Sequence, residues 1–351
     1  MEQLTNQERM KRFYNREAID RIPVCTNATV FSGVFARMSS EEFFGNMQNM
    51  YNAQKLTREL FGCHFGPSFC LPNWIALSLG CTITYRDSKQ GIMIPQVSPV
   101  ITSDIEAEMF IAPKNPQGDA LKMRQEFIQI AGNNGKGKIA LNAGSVMEIV
   151  AQITDMSLLL RWMVRKPELV YHLCDEVMAY LLRLIDQDIT IYGAQNCMAM
   201  FFYPLESKEL MSPRLVRKFH WVYIEKMHRE LQARGIHSFH EHLCGNQSDN
   251  LELFRDLSLP AGTCFSLDEK NDILETAKKL GNDYVIEGNV SSNILLTGSV
   301  QEVMNCCEEI IKAGKKLEGG FILSPSCDLP PYTPPLNLYA MHRAACIYGK
   351  Y

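Results

Sequence analysis

The stretch Ile236-His237-Ser238-Phe239-His240-Glu241-His242-Leu243-Cys244-Gly245-Asn246 decides how the chain is read. Ile236–Leu243 is a short run between Gly235 and Gly245, the mark of a buried strand. Side chains two apart on a strand point the same way, so His242 and Cys244 can converge on one point at its C-terminal end. Six other runs share this character: Arg21–Ala28, Lys138–Ala143, Asn196–Tyr203, Gly262–Leu267, Asp283–Gly288 and Gly320–Leu323. Each is rich in Val, Ile, Phe or Met and is bounded by Gly, Asn, Pro or Ser.

Helical patterns fill the spaces between these runs. Ser40–Phe61 opens with a Ser-Ser-Glu-Glu start signal. Pro167–Tyr192 carries Leu169, Val170, Leu173, Val177, Leu181 and Leu184 at helical spacing. Pro213–Arg234 stops at Gly235, Leu274–Leu280 at Gly281, and Val300–Ala313 at Gly314, each a C-cap signal. A last helix is expected over Leu336–Tyr348. The second half therefore alternates strand and helix, which implies parallel strands with right-handed crossovers. No GxGxxG fingerprint opens these helices, so a dinucleotide-binding fold is disfavoured. The expected fold is α/β: a single-domain (β/α)8 TIM barrel spanning residues 1–351, with an irregular or β-rich N-terminal insertion over Phe61–Pro116.

Composition narrows the class. With 351 residues, 46% apolar and 21% charged, the chain is long and apolar enough to bury a large core. A net charge of −4 argues against nucleic acid as a partner. No apolar run is long enough to span a bilayer, and the opening Met1–Phe13 is polar. A cytoplasmic enzyme is the expectation. Twelve cysteines in such a chain point to thiols or metal ligands rather than disulfides, and with 18 methionines they fit an anaerobic cytoplasm.

Strand C-terminal ends face the active site of a barrel, so the residues there carry the chemistry. His242 and Cys244 end one strand, and Cys327 ends the run from Gly319. Zinc takes Cys sulfur and His nitrogen, and a catalytic site keeps an exchangeable position. Asp268 and Glu269, at the end of Phe265-Ser266-Leu267-Asp268-Glu269, offer a carboxylate for it. His237 and His240 read as structural or mouth-lining. Asn289, in Gly288-Asn289-Val290, lines the site or caps the next helix. In Asn196–Tyr203 half the side chains belong to the core, while the tip, Phe201 to Tyr203, borders an apolar substrate pocket. The proline-rich run Leu329–Pro335 forms a rigid connection after Cys327.

These residues resemble the uroporphyrinogen decarboxylase superfamily and, within it, the corrinoid-dependent methyltransferases. The likeness covers nearly the whole chain: Gln7-Glu8-Arg9-Met10 through Asp20–Val24, His242-Leu243-Cys244-Gly245, Gly288-Asn289-Val290, Gly320–Leu323 with Cys327, and Pro334–Asn337. The HxCG element with the late cysteine is fairly specific to the methyltransferase branch. The resemblance implies that His242, Cys244 and Cys327 hold zinc and that Ser266–Lys270 supplies a carboxylate, Asp268 or Glu269. From their places at strand ends, Asp268, Glu269 and Asn289 are the candidate catalytic residues and Phe201, Phe202, Tyr203 and Asn246 the candidate substrate contacts. The decarboxylases pair many porphyrin carboxylates with an arginine-rich N-terminal segment, and Pro23–Phe31 contains no arginine here.

Two directions of methyl transfer follow. One takes a methyl group from a donor, a methoxylated aromatic best, to Co(I) of a corrinoid protein. The other takes it from methyl-Co(III) to a thiol such as coenzyme M or homocysteine. A coenzyme M site calls for basic residues, and the strand tips offer none, which favours O-demethylation. Either way the corrinoid is held by a partner protein, since no DxHxxG motif occurs here. The substrate is a small molecule, and a homodimer is compatible with the sequence. A zinc hydrolase using Glu241 or Glu269 as base, and a non-catalytic zinc barrel, are the competing classes.

Overall fold

The computed structural model describes residues 4–62, 66–88, 91–132 and 138–351. The chain folds as two compact units, Met1–Cys70 with Asp87–Ile92 and His240–Tyr351, and Leu71–Arg86 with Met93–Phe239.

The first unit holds four parallel strands, each in register with the next. They are Phe239–Leu243, whose first residue lies at the unit boundary, Cys264–Leu267, Val285–Val290 and Phe321–Pro325. In the second unit Ile139–Asn142 pairs in parallel with Cys197–Phe202. In chain order these six strands are β1 (139–142), β2 (197–202), β3 (239–243), β4 (264–267), β5 (285–290) and β6 (321–325). Every residue of β4, β5 and β6 is buried, the pattern of parallel strands covered on both faces. Helices follow the strands: Leu251–Asp256 after β3, Ile273–Leu280 after β4, Ser292–Thr297 and Val300–Gly314 after β5, and Pro335–Tyr348 after β6. The N-terminal helix Asn6–Tyr14 starts at a Thr5–Glu8 capping box, and its buried Arg9 pairs with Asp20 at 2.7 Å. Among the described residues no helix is long and apolar enough to cross a membrane.

Three expectations change in detail. Arg21–Ala28 is not a strand but a bridge, Val24 facing Leu323, with the Cys25 N–H donating to Leu323 O at 2.8 Å. Pro23 has no N–H to donate and interrupts the ladder. Ser40–Phe61 is two helices, Ser40–Phe44 and Met47–Phe61, because Ser39 and Asn46 each accept a backbone N–H and start a helix of their own. Pro213–Arg234 is broken by a π-turn over Val216–Trp221 before the helix Val222–Ala233. The expected insertion over Phe61–Pro116 lies partly outside the described residues. Its described parts include two small antiparallel pairs, Thr82–Thr84 with Gln96–Ser98 and Asp87–Ser88 with Gly91–Ile92.

The second unit is organised by the 26-residue helix Pro167–Tyr192. From it, the buried Asp188 takes both ends of the Arg124 guanidinium, at 3.0 and 2.8 Å.

Candidate metal centre at the strand ends

In the first unit, the expected ligands occupy the C-terminal ends of three strands. His242 is in β3 and Cys244 just beyond it; Asp268 and Glu269 follow β4; Cys327 lies two residues after β6. His242 is buried, and its Nδ1 lies 3.1 Å from Ser266 Oγ, its register partner on β4. Burial lowers the His242 pKa to about 4, so the imidazole is neutral at pH 7, the form that ligates a metal. The tautomer that donates from Nδ1 to Ser266 leaves the Nε2 lone pair as the ligating one. Cys244 is half-buried. Gly245 then takes φ +63°, a left-handed turn that suits a residue without Cβ and reverses the chain after the thiol.

A lattice of side-chain amides ties this turn to the one after β4. Asn271, almost fully buried, donates to Gly245 O at 2.8 Å and accepts from the Gln247 N–H at 2.9 Å. Gln247 Nε2 donates to Cys244 O at 2.9 Å. Asn289 on β5 donates to Asp268 O at 3.2 Å and Asn271 O at 2.8 Å. Asn246 Oδ1 accepts from the Ser248 N–H at 3.1 Å and shapes the turn. Asn289 therefore acts through the loop that carries Asp268, whereas the sequence left it between site lining and helix cap.

The two carboxylates separate in role. Exposed Glu269 accepts from Ser291 Oγ at 3.1 Å, from the Ser292 N–H at 3.3 Å, and from Ser326 Oγ. It fastens the start of the helix after β5 to the residue before Cys327. Asp268 is partly buried and accepts from the Lys270 N–H at 2.9 Å; burial raises its pKa. Cys327 is exposed as a residue, yet withdrawal of its sulfur from water, followed by the charges of Asp328, Asp268 and Glu269, raises its pKa. Asp328 accepts from Thr29 Oγ1 at 2.5 Å, and burial raises it to about 6.

Among the described residues, the His, Cys and acid donors that lie mutually within 4.8 Å are those of His240, Cys264 and Glu287. His242, Cys244 and Cys327 do not form such a group. His240 is lowered to about 4 by burial and then by His242, and burial raises both Cys264 and Glu287. The His/Cys/Glu donor set is compatible with zinc. Sequence reasoning passed over it because Cys264 and Glu287 belong to no local motif. The available signal was polar residues at alternate positions of strands that are otherwise apolar.

The expected substrate aromatics lie in the second unit and divide by strand alternation. Phe201 and Tyr203 are buried, and Phe201 stacks on His228 with ring centroids 4.1 Å apart. They are core side chains, which departs from the expected pocket border. Phe202 is partly exposed and lies on the opposite face of β2, with Met198 and Met200.

Parallel strands whose C-terminal ends collect imidazole, thiol and carboxylate define an α/β protein with its chemistry at the strand ends. The chain belongs to the uroporphyrinogen decarboxylase family, whose model, "Uroporphyrinogen decarboxylase (URO-D)", matches residues 5–347. No curated protein matches the chain. Among solved structures it is similar to a methyltransferase from Methanosarcina mazei, with 22% identity over 99% of each chain and a TM-score of 0.77. A B12-independent methionine synthase from Shewanella sp., solved with selenomethionine, is 10% identical over 93% of this chain and 97% of its own, with a TM-score of 0.45. The fold is the mixed α/β, TIM-barrel-type fold of this family.

Proposed function

We propose that the protein is a zinc-dependent methyltransferase that moves a methyl group from a small methylated donor, best a methoxylated aromatic, to Co(I) of a corrinoid carried by a partner protein. The observation that carries this reading is the set at the strand ends of one unit: His242 in β3 and Cys244 just beyond it, Asp268 after β4, Cys327 after β6. The similarity to a Methanosarcina mazei methyltransferase supports it.

The donor set fits zinc in chemistry: two thiols, one neutral imidazole and a carboxylate. When bound, zinc supplies a Lewis acid for the ether oxygen of the donor. The overall reaction breaks the methyl carbon–oxygen bond, leaves the electron pair on oxygen, and forms the methyl–cobalt bond with the pair from Co(I). The chain's own residues prepare the site. Ser266 orients His242, the Asn271–Asn289 lattice fixes the turn that presents Asp268, and Glu269 holds Ser326 beside Cys327.

The test is zinc content of the reduced protein beside a Cys244→Ser/Cys327→Ser double variant, with a spectral assay of Co(I) cobalamin methylation by methoxylated aromatics. Zinc lost from the strand-end site in the variant, with methyl-Co(III) forming only with wild type, is the expected result. Thiol-dependent loss of methyl-Co(III) without methylation of Co(I) reverses the direction to a thiol acceptor. A protein whose zinc binding and folding ignore both cysteines overturns the reading.

A further inference from the structure

We propose that His240, Cys264 and Glu287 form a second metal site, set among the strands of the first unit one layer below the strand ends and independent of the catalytic reading. The parallel register builds the two layers. His242 lies opposite Ser266 and His240 opposite Cys264, both pairs two residues apart on β3 and β4. Their side chains therefore share one face of the sheet at two levels. Glu287 on β5 is the register partner of Ser266. Its carboxylate nevertheless meets the lower layer: Cys264 Sγ donates to Glu287 Oε2 at 3.5 Å. The three donor atoms are mutually within 4.8 Å, which a single ion can bridge.

The surroundings argue for a cation. Cys264 and Glu287 are 4% and 3% exposed, and Cys264 belongs to an apolar cluster of Phe13, Cys25, Val285 and Ile322. A carboxyl in such a place is accommodated either as the neutral acid or beside a cation, and among the described residues no Lys or Arg pairs with Glu287. The donors that do reach it are thiols and a hydroxyl, from Cys25, Ser324 and Cys264. Cys25, also buried in this cluster, reaches Glu287 but is not among the donors that lie mutually within 4.8 Å. One partly exposed imidazole, one buried thiol and one buried carboxylate make a donor set of the kind structural zinc occupies. Loading exchanges the thiol and carboxyl protons for the dication, so the protons leave to solvent and nothing is oxidised or reduced.

The experiment counts metal. The full chain, reduced and stripped by chelator, is reconstituted with Zn²⁺ and separately with Co²⁺, whose thiolate charge-transfer band reports sulfur ligation. Wild type is compared with the strand-end variant Cys244→Ser/Cys327→Ser and with the interior variants Cys264→Ser and His240→Gln. Circular dichroism checks that each is folded. Two equivalents in wild type, one in the strand-end variant and one in each folded interior variant is the expected result. If one equivalent binds wild type and the interior variants alike and none binds the strand-end variant, the second site is overturned while the catalytic reading stands. If the single equivalent survives in the strand-end variant and disappears in the interior ones, the interior site stands and the proposed catalytic ligands fail. Should both interior variants unfold, Cys264→Val, which suits the apolar surroundings, takes their place, and its retention of every metal equivalent overturns the site.

Discussion

The side-chain amide of Asn289 on β5 donates to two backbone carbonyls of the loop after β4, Asp268 O and Asn271 O. A residue that sequence alone leaves between site and cap thus holds the neighbouring loop in place. Asn289→Ala removes both bonds and leaves buried carbonyls without this donor, so stability should fall by about 1–3 kcal/mol. Asn289→Asp should cost more, because a carboxylate facing two carbonyls repels them. Urea unfolding of the three proteins checks the order, and an alanine variant as stable as wild type contradicts it.

The two acids after β4 should separate in a metal titration. Glu269 already receives three donors, whereas Asp268 is the partly buried acid on the turn beside the ligands. Asp268→Asn should weaken zinc binding at the strand ends by about 10-fold or more. Glu269→Gln should leave it within about 3-fold, the smaller effect of a group that acts through Ser326. Competition with a chromophoric chelator, on a background that lacks Cys264, gives both numbers. The reverse order would make Glu269 the ligand.

The strands were legible as short runs between turn residues: β1 to β4 lie inside predicted runs, whereas β5 and β6 each continue two residues past theirs, to Val290 and Pro325. The places of His242, Cys244 and Cys327 at or just after strand ends were legible, because each follows directly from the strand run before it. Ser266, Asn271 and the His240–Cys264–Glu287 group were not, because their roles come from register between strands far apart in the chain. Asp268 and Glu269 could not be told apart because their difference is made by Ser291, Ser292 and Ser326, which arrive from the following strands. The break in Ser40–Phe61 was visible in principle, since Asn46 follows Gly45 and caps what comes after; the hydrophobic period masked it.

In the second unit the Glu148 carboxyl is raised to about 8, first by burial and then by the charge of Glu206. Glu206 is itself held by Ser145 at 2.6 Å and His220 at 2.9 Å. The folded chain therefore keeps a proton that the unfolded chain releases near the ordinary value of 4.5. This contribution is full below about pH 4.5 and is lost as pH rises toward 8. Glu148→Gln cannot titrate, so its stability curve should be flatter across that window, and at pH 8 it should exceed wild type by about 1–3 kcal/mol. Chemical denaturation at a series of pH values, read as the difference between the two proteins, tests this. Parallel curves would show that Glu148 ionises normally.

Alternation on β2 gives adjacent phenylalanines opposite duties. Phe201 is 1% exposed and stacks on His228, so Phe201→Ala opens a cavity in the core and should cost about 3–5 kcal/mol. Phe202 points to the other face and is partly exposed, so Phe202→Ala should cost less than about 1.5 kcal/mol. If the Phe202 face contacts the methyl donor, its loss should raise KM several-fold and leave kcat nearly unchanged, the signature of lost uniform binding. Phe201→Leu, which keeps most of the volume, should restore much of the stability with KM unaltered. Thermal unfolding together with steady-state kinetics separates the two residues. A Phe202→Ala protein as unstable as Phe201→Ala would place both in the core and return the substrate face to other residues.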